Sequence, residues 1–189
     1  MVKKVFIFLL TAVVFLSCQN VNSIKRISSD GLMYAMIYDY DNTPVNAVAV
    51  YIDGRKVVDS DIQGRFILEK MDKGEYTIKL TKRGYETFEE NFYFDPLQVL
   101  YFKMISTRQL VTLAETALDS KDFFAAENYI IRAQALEPAR HDILYLKAIS
   151  CYLQDRREEA NLILENLLRS GNNQPAVIRL YELTNMERE

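Results

Sequence analysis

Hydrophobic and polar positions alternate in three ways along the chain. Residues 5–16 are apolar apart from Thr11, with Lys3 and Lys4 before them and polar Gln19 and Asn20 soon after. A membrane-spanning helix needs roughly 20 apolar residues, so this run is too short. A basic start, a short apolar run and then small residues predict a secretory signal peptide over residues 1–17. Residues 19–30 are polar; together with Cys18 they are expected to form a flexible tether, of root-mean-square span on the order of 20 Å.

From residue 31 the period becomes two, as strands require. In residues 74–81, Tyr76, Ile78 and Leu80 point one way and Thr77, Lys79 and Thr81 the other. Residues 45–52 are a β-branched and Ala run that ends in Asp53-Gly54, a two-residue hairpin signal. Residues 64–68, 86–94 and 97–105 read as further strands. Turn signals recur about every eight to twelve residues, the spacing of an antiparallel sandwich. The expected fold class is α+β multidomain, with about seven strands in an N-terminal antiparallel β-sandwich at residues 31–105. After Ser106 the period is helical: Leu110, Leu113, Ala114, Ala117 and Leu118 share one helix face. Residues 123–136 resume the pattern, and Pro175 opens a last helix at a position where proline is tolerated.

Four motifs in order resemble a carboxypeptidase regulatory-like (transthyretin-like, prealbumin-like) domain. They are Asn42-Thr43-Pro44-Val45-Asn46-Ala47, Asp59-Ser60-Asp61-Ile62-Gln63-Gly64-Arg65-Phe66, Lys73-Gly74-Glu75-Tyr76-Thr77-Ile78 and Lys82-Arg83-Gly84-Tyr85-Glu86. That resemblance implies a non-catalytic companion or binding module. In the helical part, Leu110 maps to Leu144, Ala114 to Ala148, Ala117 to Cys151, Ala126 to Ala160 and Ile130 to Leu164, a shift of 34 residues. This is similar to a tetratricopeptide repeat and implies copies at 107–140 and 141–174, with a capping helix at 175–186. Leu16-Ser17-Cys18 resembles the lipobox of bacterial lipoproteins, which implies a diacylglycerol on the Cys18 thiol and cleavage just before it. Gln19 in place of Asp points, by analogy, to the outer rather than the inner membrane.

Composition narrows the functions. Lys plus Arg is 23 against 26 for Asp plus Glu, with a pI near 5.4, so no basic face for phosphates is indicated. There is one histidine, His141, and two cysteines, Cys18 and Cys151. Acylation of Cys18 leaves Cys151 without an internal disulfide partner, most simply a small buried hydrophobe. Asp39, Asp41, Asp53, Asp59 and Asp61 lie in loops without EF-hand spacing and are what turns require. No nucleophile elbow, zinc-protease motif or phosphate loop occurs. No cofactor, metal site or catalytic residue is expected.

What remains is surface. The tetratricopeptide resemblance implies a concave groove lined by Arg108, Val111, Glu115 and Leu118 from one helix and by Asp142, Tyr145, Ile149 and Tyr152 from another. Tyr and Ile there are candidate anchors for a partner, or pack against the last helix or the β-module. The expectation is a lipid-anchored envelope protein with its globular part periplasmic or surface-exposed. It would be a non-enzymatic adaptor for another envelope protein or peptide. The alternative is glycan or cell-wall binding through the tyrosine-rich strands. Nucleic acid is not an expected partner.

Overall fold

The computed structural model describes residues 27–186. The strands come first: β1 (Ile27–Asp39), β2 (Ala49–Ile52), β3 (Arg55–Asp59), β4 (Arg65–Thr81), β5 (Phe88–Phe94) and β6 (Val99–Met104). Then come α1 (Thr107–Asp119), α2 (Phe123–Leu136), α3 (His141–Leu153), α4 (Arg157–Arg169) and α5 (Pro175–Met186). The expected signal peptide, Cys18 and most of the expected tether lie outside the described residues. β1 begins at Ile27, so the last residues assigned to the tether are strand.

β4 organises the strand half. Its first part pairs antiparallel with β1, Met36 opposite Arg65 and Met33 opposite Leu68. Its second part pairs with β2 on one side, Ile52 opposite Ile78, and with β5 on the other, Leu80 opposite Phe88. β3 returns along β2 through Asp53 and Gly54, at φ 48° and 79°, as a tight hairpin turn demands. β6 flanks β1 in parallel, Tyr34 opposite Val99. Alternate residues of these strands (Met33, Ala35 and Ile37; Tyr76, Ile78 and Leu80; Phe94, Phe102 and Met104) converge on one core.

These pairings correct the expected fold. The described residues hold six strands rather than about seven, and the sheet is mixed rather than antiparallel. The count falls because residues 64–68 and 74–81, read as two strands, belong to one strand of 17 residues. Lys70, at φ 59°, lies between them, and the β1 register shifts around Gly31. The chain therefore bends through an irregularity instead of turning back. Residues 45–48, also read as strand, form a loop held by buried Ser60. Its hydroxyl accepts from Val48 N–H at 3.0 Å and donates to the Val45 carbonyl at 2.9 Å. Gly64 is at φ 73°, where a Cβ would stand 2.5 Å from the Ile37 carbonyl oxygen. A clear seven-stranded prealbumin-like sandwich is thus not what the chain forms.

Nor do the helices sort into clear tetratricopeptide hairpins. Leu113, placed by the pattern on the buried stripe, is exposed. Ser106 and Asp122 cap α1 and α2 through their side chains, whereas Arg140 and Arg156 give α3 and α4 no such cap. The five helices form a serial array, each packed on the next, with α5 touching α3 as well.

The two halves are joined by backbone. Glu86 N–H donates to the Ile105 carbonyl at 3.0 Å and Thr107 N–H to the Gly84 carbonyl at 2.8 Å. Ile105 is buried in the α1–α2 cluster. Arg132 of α2 clasps Glu86 with two hydrogen bonds of 2.8 and 2.7 Å. Burial pushes the nearby Tyr85 hydroxyl's pKa up, with Asp39 adding to the rise and Arg108 opposing it.

Candidate functional site

α1 and α3 lie side by side and leave a groove of about 430 Å³ between them. α1 contributes Glu115, Leu118 and Asp119; α3 contributes Asp142, Tyr145, Leu146, Ile149 and Leu153. The helical period puts them there. Glu115, Leu118 and Asp119 are separated by three and four residues, as are Asp142, Tyr145, Leu146, Ile149 and Leu153, so each set shares one helix face. Leu118 and Leu146 are largely buried and form the floor. Tyr145 and Ile149 are half-buried and Leu153 is exposed at one end.

Five of the eight residues singled out from the sequence line this groove: Glu115, Leu118, Asp142, Tyr145 and Ile149. The other three stand elsewhere. Arg108 is exposed, its guanidinium 3.4 Å from the Asp41 carboxylate of the β1–β2 loop. Val111 is buried within the α1–α2 cluster. Tyr152 packs on the cluster that includes Ala148, Leu164 and Val177, because α3 turns it toward α4 and α5. Asp119, Leu146 and Leu153 belong to the groove and were missed. Following the three-and-four stripe from Glu115 to Asp119, and from Ile149 to Leu153, finds two of them.

The electrostatics are one-sided. Glu115, Asp119 and Asp142 rim the apolar floor, and no basic side chain lines it. Asp142 is engaged by Arg140 at 2.9 Å, whereas Glu115 and Asp119 are exposed. A second groove of about 420 Å³ adjoins the first across Tyr145, walled by Pro175, Ala176, Arg179, Leu180 and Leu183 of α5. The Tyr145 hydroxyl donates to the Ala176 carbonyl at 3.3 Å, so the ring is a fixed ridge between the two. Tyr145 thus packs on the last helix while also lining the first groove.

A smaller cavity of about 210 Å³ lies on the other side of α3, between α2 and α4. Glu127 and Arg156 close over it as an ion pair, Arg156 also reaches Glu159 at 2.9 Å, and Cys151 lies among its lining residues. Burial pushes the Cys151 thiol up to about 11, against a partial lowering by Arg156. A thiol so shifted is almost wholly protonated near neutral pH and a poor nucleophile. His141 is exposed and its Nε2 lies 3.2 Å from the Ser170 hydroxyl. Among the described residues, no group of three or more His, Cys, Asp or Glu converges on a metal position. No helix among them is long and apolar enough to cross a membrane.

No family model matches the chain, and no curated protein matches it. Among solved structures, part of the chain is similar to 3-chlorocatechol 1,2-dioxygenase from Rhodococcus opacus 1CP. That likeness has 11% identity and a TM-score of 0.35, and covers 43% of this chain and 61% of that one. A likeness this slight carries no argument about fold or activity.

Proposed function

We propose that the chain is a lipid-anchored envelope lipoprotein that works without catalysis, as an adaptor for another envelope protein. Acylation at Cys18 would fix it to the membrane, and the groove between α1 and α3 would take a segment of the partner. The observation that carries this reading is the groove itself: an apolar floor of Leu118, Leu146 and Ile149, an aromatic ridge at Tyr145, and carboxylates around them. Apolar anchors supply affinity and the acidic rim supplies register and association rate. The matching segment is apolar at its centre and carries Lys or Arg beside it.

Peptide arrays of such segments test the reading. Glu115→Lys with Asp119→Lys is expected to weaken the bound set about tenfold, and raised salt to weaken it in the parent. Tyr145→Ala is expected to weaken it under all salt conditions. An unchanged bound set in both variants overturns the groove. Mass measurement of the N-terminus tests the anchor separately, and an unacylated chain in the soluble extract overturns that part.

A further inference from the structure

Away from the groove, the outer face of β4, β1 and β6 is turned to solvent and mostly apolar, with Arg65 opposite Met36 and Lys103 opposite Tyr38 at the end away from Leu97. From β1 it presents Leu32, Tyr34, Met36 and Tyr38, a run without charge. In register across the strands, Tyr34 stands between Ile67 and Val99, and Met36 next to Tyr101. Leu32, Ile67 and Val99 are each about half exposed, Tyr101 more so, and its ring stacks on Tyr38 with centroids 6.5 Å apart. Single exposed apolar residues are ordinary, but a contiguous face of them is a contact surface.

The face leads to a turn that holds Leu97 at 94% exposure. That turn is built rather than loose. The Asp95 carboxylate accepts from Leu97 N–H at 3.2 Å and pairs with Lys73 at 2.6 Å, and Gln98 N–H closes on the Asp95 carbonyl. Pro96 packs so closely on Gly31 that a Cβ there would stand 2.7 Å from the proline ring. Lys73 is the residue opposite Ile27, where β1 starts. Charged residues flank this end: Glu69, Lys70 and Asp72 of β4, and Lys73 paired with Asp95.

We infer that this end of the β-module, Leu97 foremost with Leu32, Ile67, Val99 and Tyr101 behind it, rests in the interfacial layer of the lipid bilayer. The inference builds on the anchor proposed above. Cys18 and Ile27 are nine residues apart, and a chain of that length reaches at most about 30 Å. An anchored Cys18 would keep Ile27 within that distance of the bilayer, and Ile27 lies at this end of the module, opposite the Lys73 that pairs with Asp95. Leucine and valine enter the acyl boundary while tyrosine hydroxyls stay at headgroup level, which is the gradient the face presents from Leu97 toward Tyr38. The effect would be to fix the orientation of the helical array relative to the membrane.

The test uses the mature chain purified with its native N-terminus, in vesicles of phosphatidylethanolamine and phosphatidylglycerol with brominated acyl chains as quencher. Bimane is attached at Leu97→Cys or, as the distant control, at Ile178→Cys on α5, each in a Cys151→Ala background. Contact predicts that fluorescence at position 97 falls about twofold with brominated lipid while position 178 is unchanged. Acylated protein that sediments with vesicles but is unquenched at position 97 overturns the inference and leaves the anchor standing. If the chain proves unacylated, Cys18 is also replaced by Ser so that the bimane finds a single thiol, and the labelled protein is added to vesicles from solution. Quenching at position 97 then supports the face alone, and its absence overturns it. A doubled mass in light scattering that Leu97→Asp abolishes, without quenching, assigns the face to a second copy and overturns the lipid assignment. Retention on peptidoglycan that Tyr101→Ala removes, again without quenching, does so in favour of a glycan.

Discussion

Cys151, expected from the sequence to be a small buried hydrophobe, carries a pH signature in the fold. The thiol is fully buried on α3 and its pKa rises from 9.0 to about 11. As pH rises past the unfolded value, the unfolded chain loses its proton first and the folded chain keeps its own. The contribution is therefore complete below pH 9.0 and is lost as pH climbs to about 11. The comparison is with Cys151→Ala, which removes the thiol and leaves every other group in place. The stability advantage of the parent over Cys151→Ala is expected to shrink between about pH 8 and about pH 10.5 in urea titrations. An advantage of equal size at both pH values would show that the thiol titrates normally in the folded chain.

At the scale of elements, β4 separates what the sequence displays from what it conceals. Tyr76, Ile78 and Leu80 alternate as a strand should, and all three are in the core. The join to residues 64–68 is concealed because Glu69 to Lys73 has the polar look of a turn, while Lys70 adopts φ 59° within a continuous strand. Left-handed φ costs a β-branched residue far more than a flexible polar one. Lys70→Val is therefore expected to lower stability by about 1–2 kcal/mol, seen as a lower urea midpoint, while Lys70→Gly stays near the parent. A Lys70→Val variant as stable as the parent would mean the strand runs straight there. The loop at residues 45–48 was concealed for a different reason. Its Val and Ala composition favours strand, but the buried Ser60 hydroxyl holds its backbone as a loop, a long-range contact no local pattern contains. The groove was more legible. The face implied by the tetratricopeptide resemblance placed Glu115, Leu118, Asp142, Tyr145 and Ile149 together, and went astray at Arg108, which reaches Asp41, and at Val111 and Tyr152, where neighbouring helices cover that side.

At the scale of the molecule, the question is whether the strands and the helices unfold as one. Three kinds of contact join them, and their strengths differ. Arg132 and Glu86 meet in a bidentate pair, but the side chains are 36% and 29% exposed. Solvent screening discounts the pair to about 1 kcal/mol. The backbone bonds from Glu86 to Ile105 and from Thr107 to Gly84 are shielded. The side chains of Ile105 and Thr107 are buried at the start of α1, and the Ser106 hydroxyl and the Gln109 side chain complete a capping box there. Breaking the junction thus exposes apolar surface and orphans a helix cap together, a cost larger than the ion pair. Arg132→Met should lower the unfolding free energy by about 1 kcal/mol, seen as a lower urea midpoint, without splitting the transition. The tyrosine signal of the near-ultraviolet circular dichroism and the helical signal at 222 nm should still coincide. If Arg132→Met instead separates the two signals, with the helices melting at lower urea than the strands, then the ion pair and not the junction backbone holds the groove above its β-module.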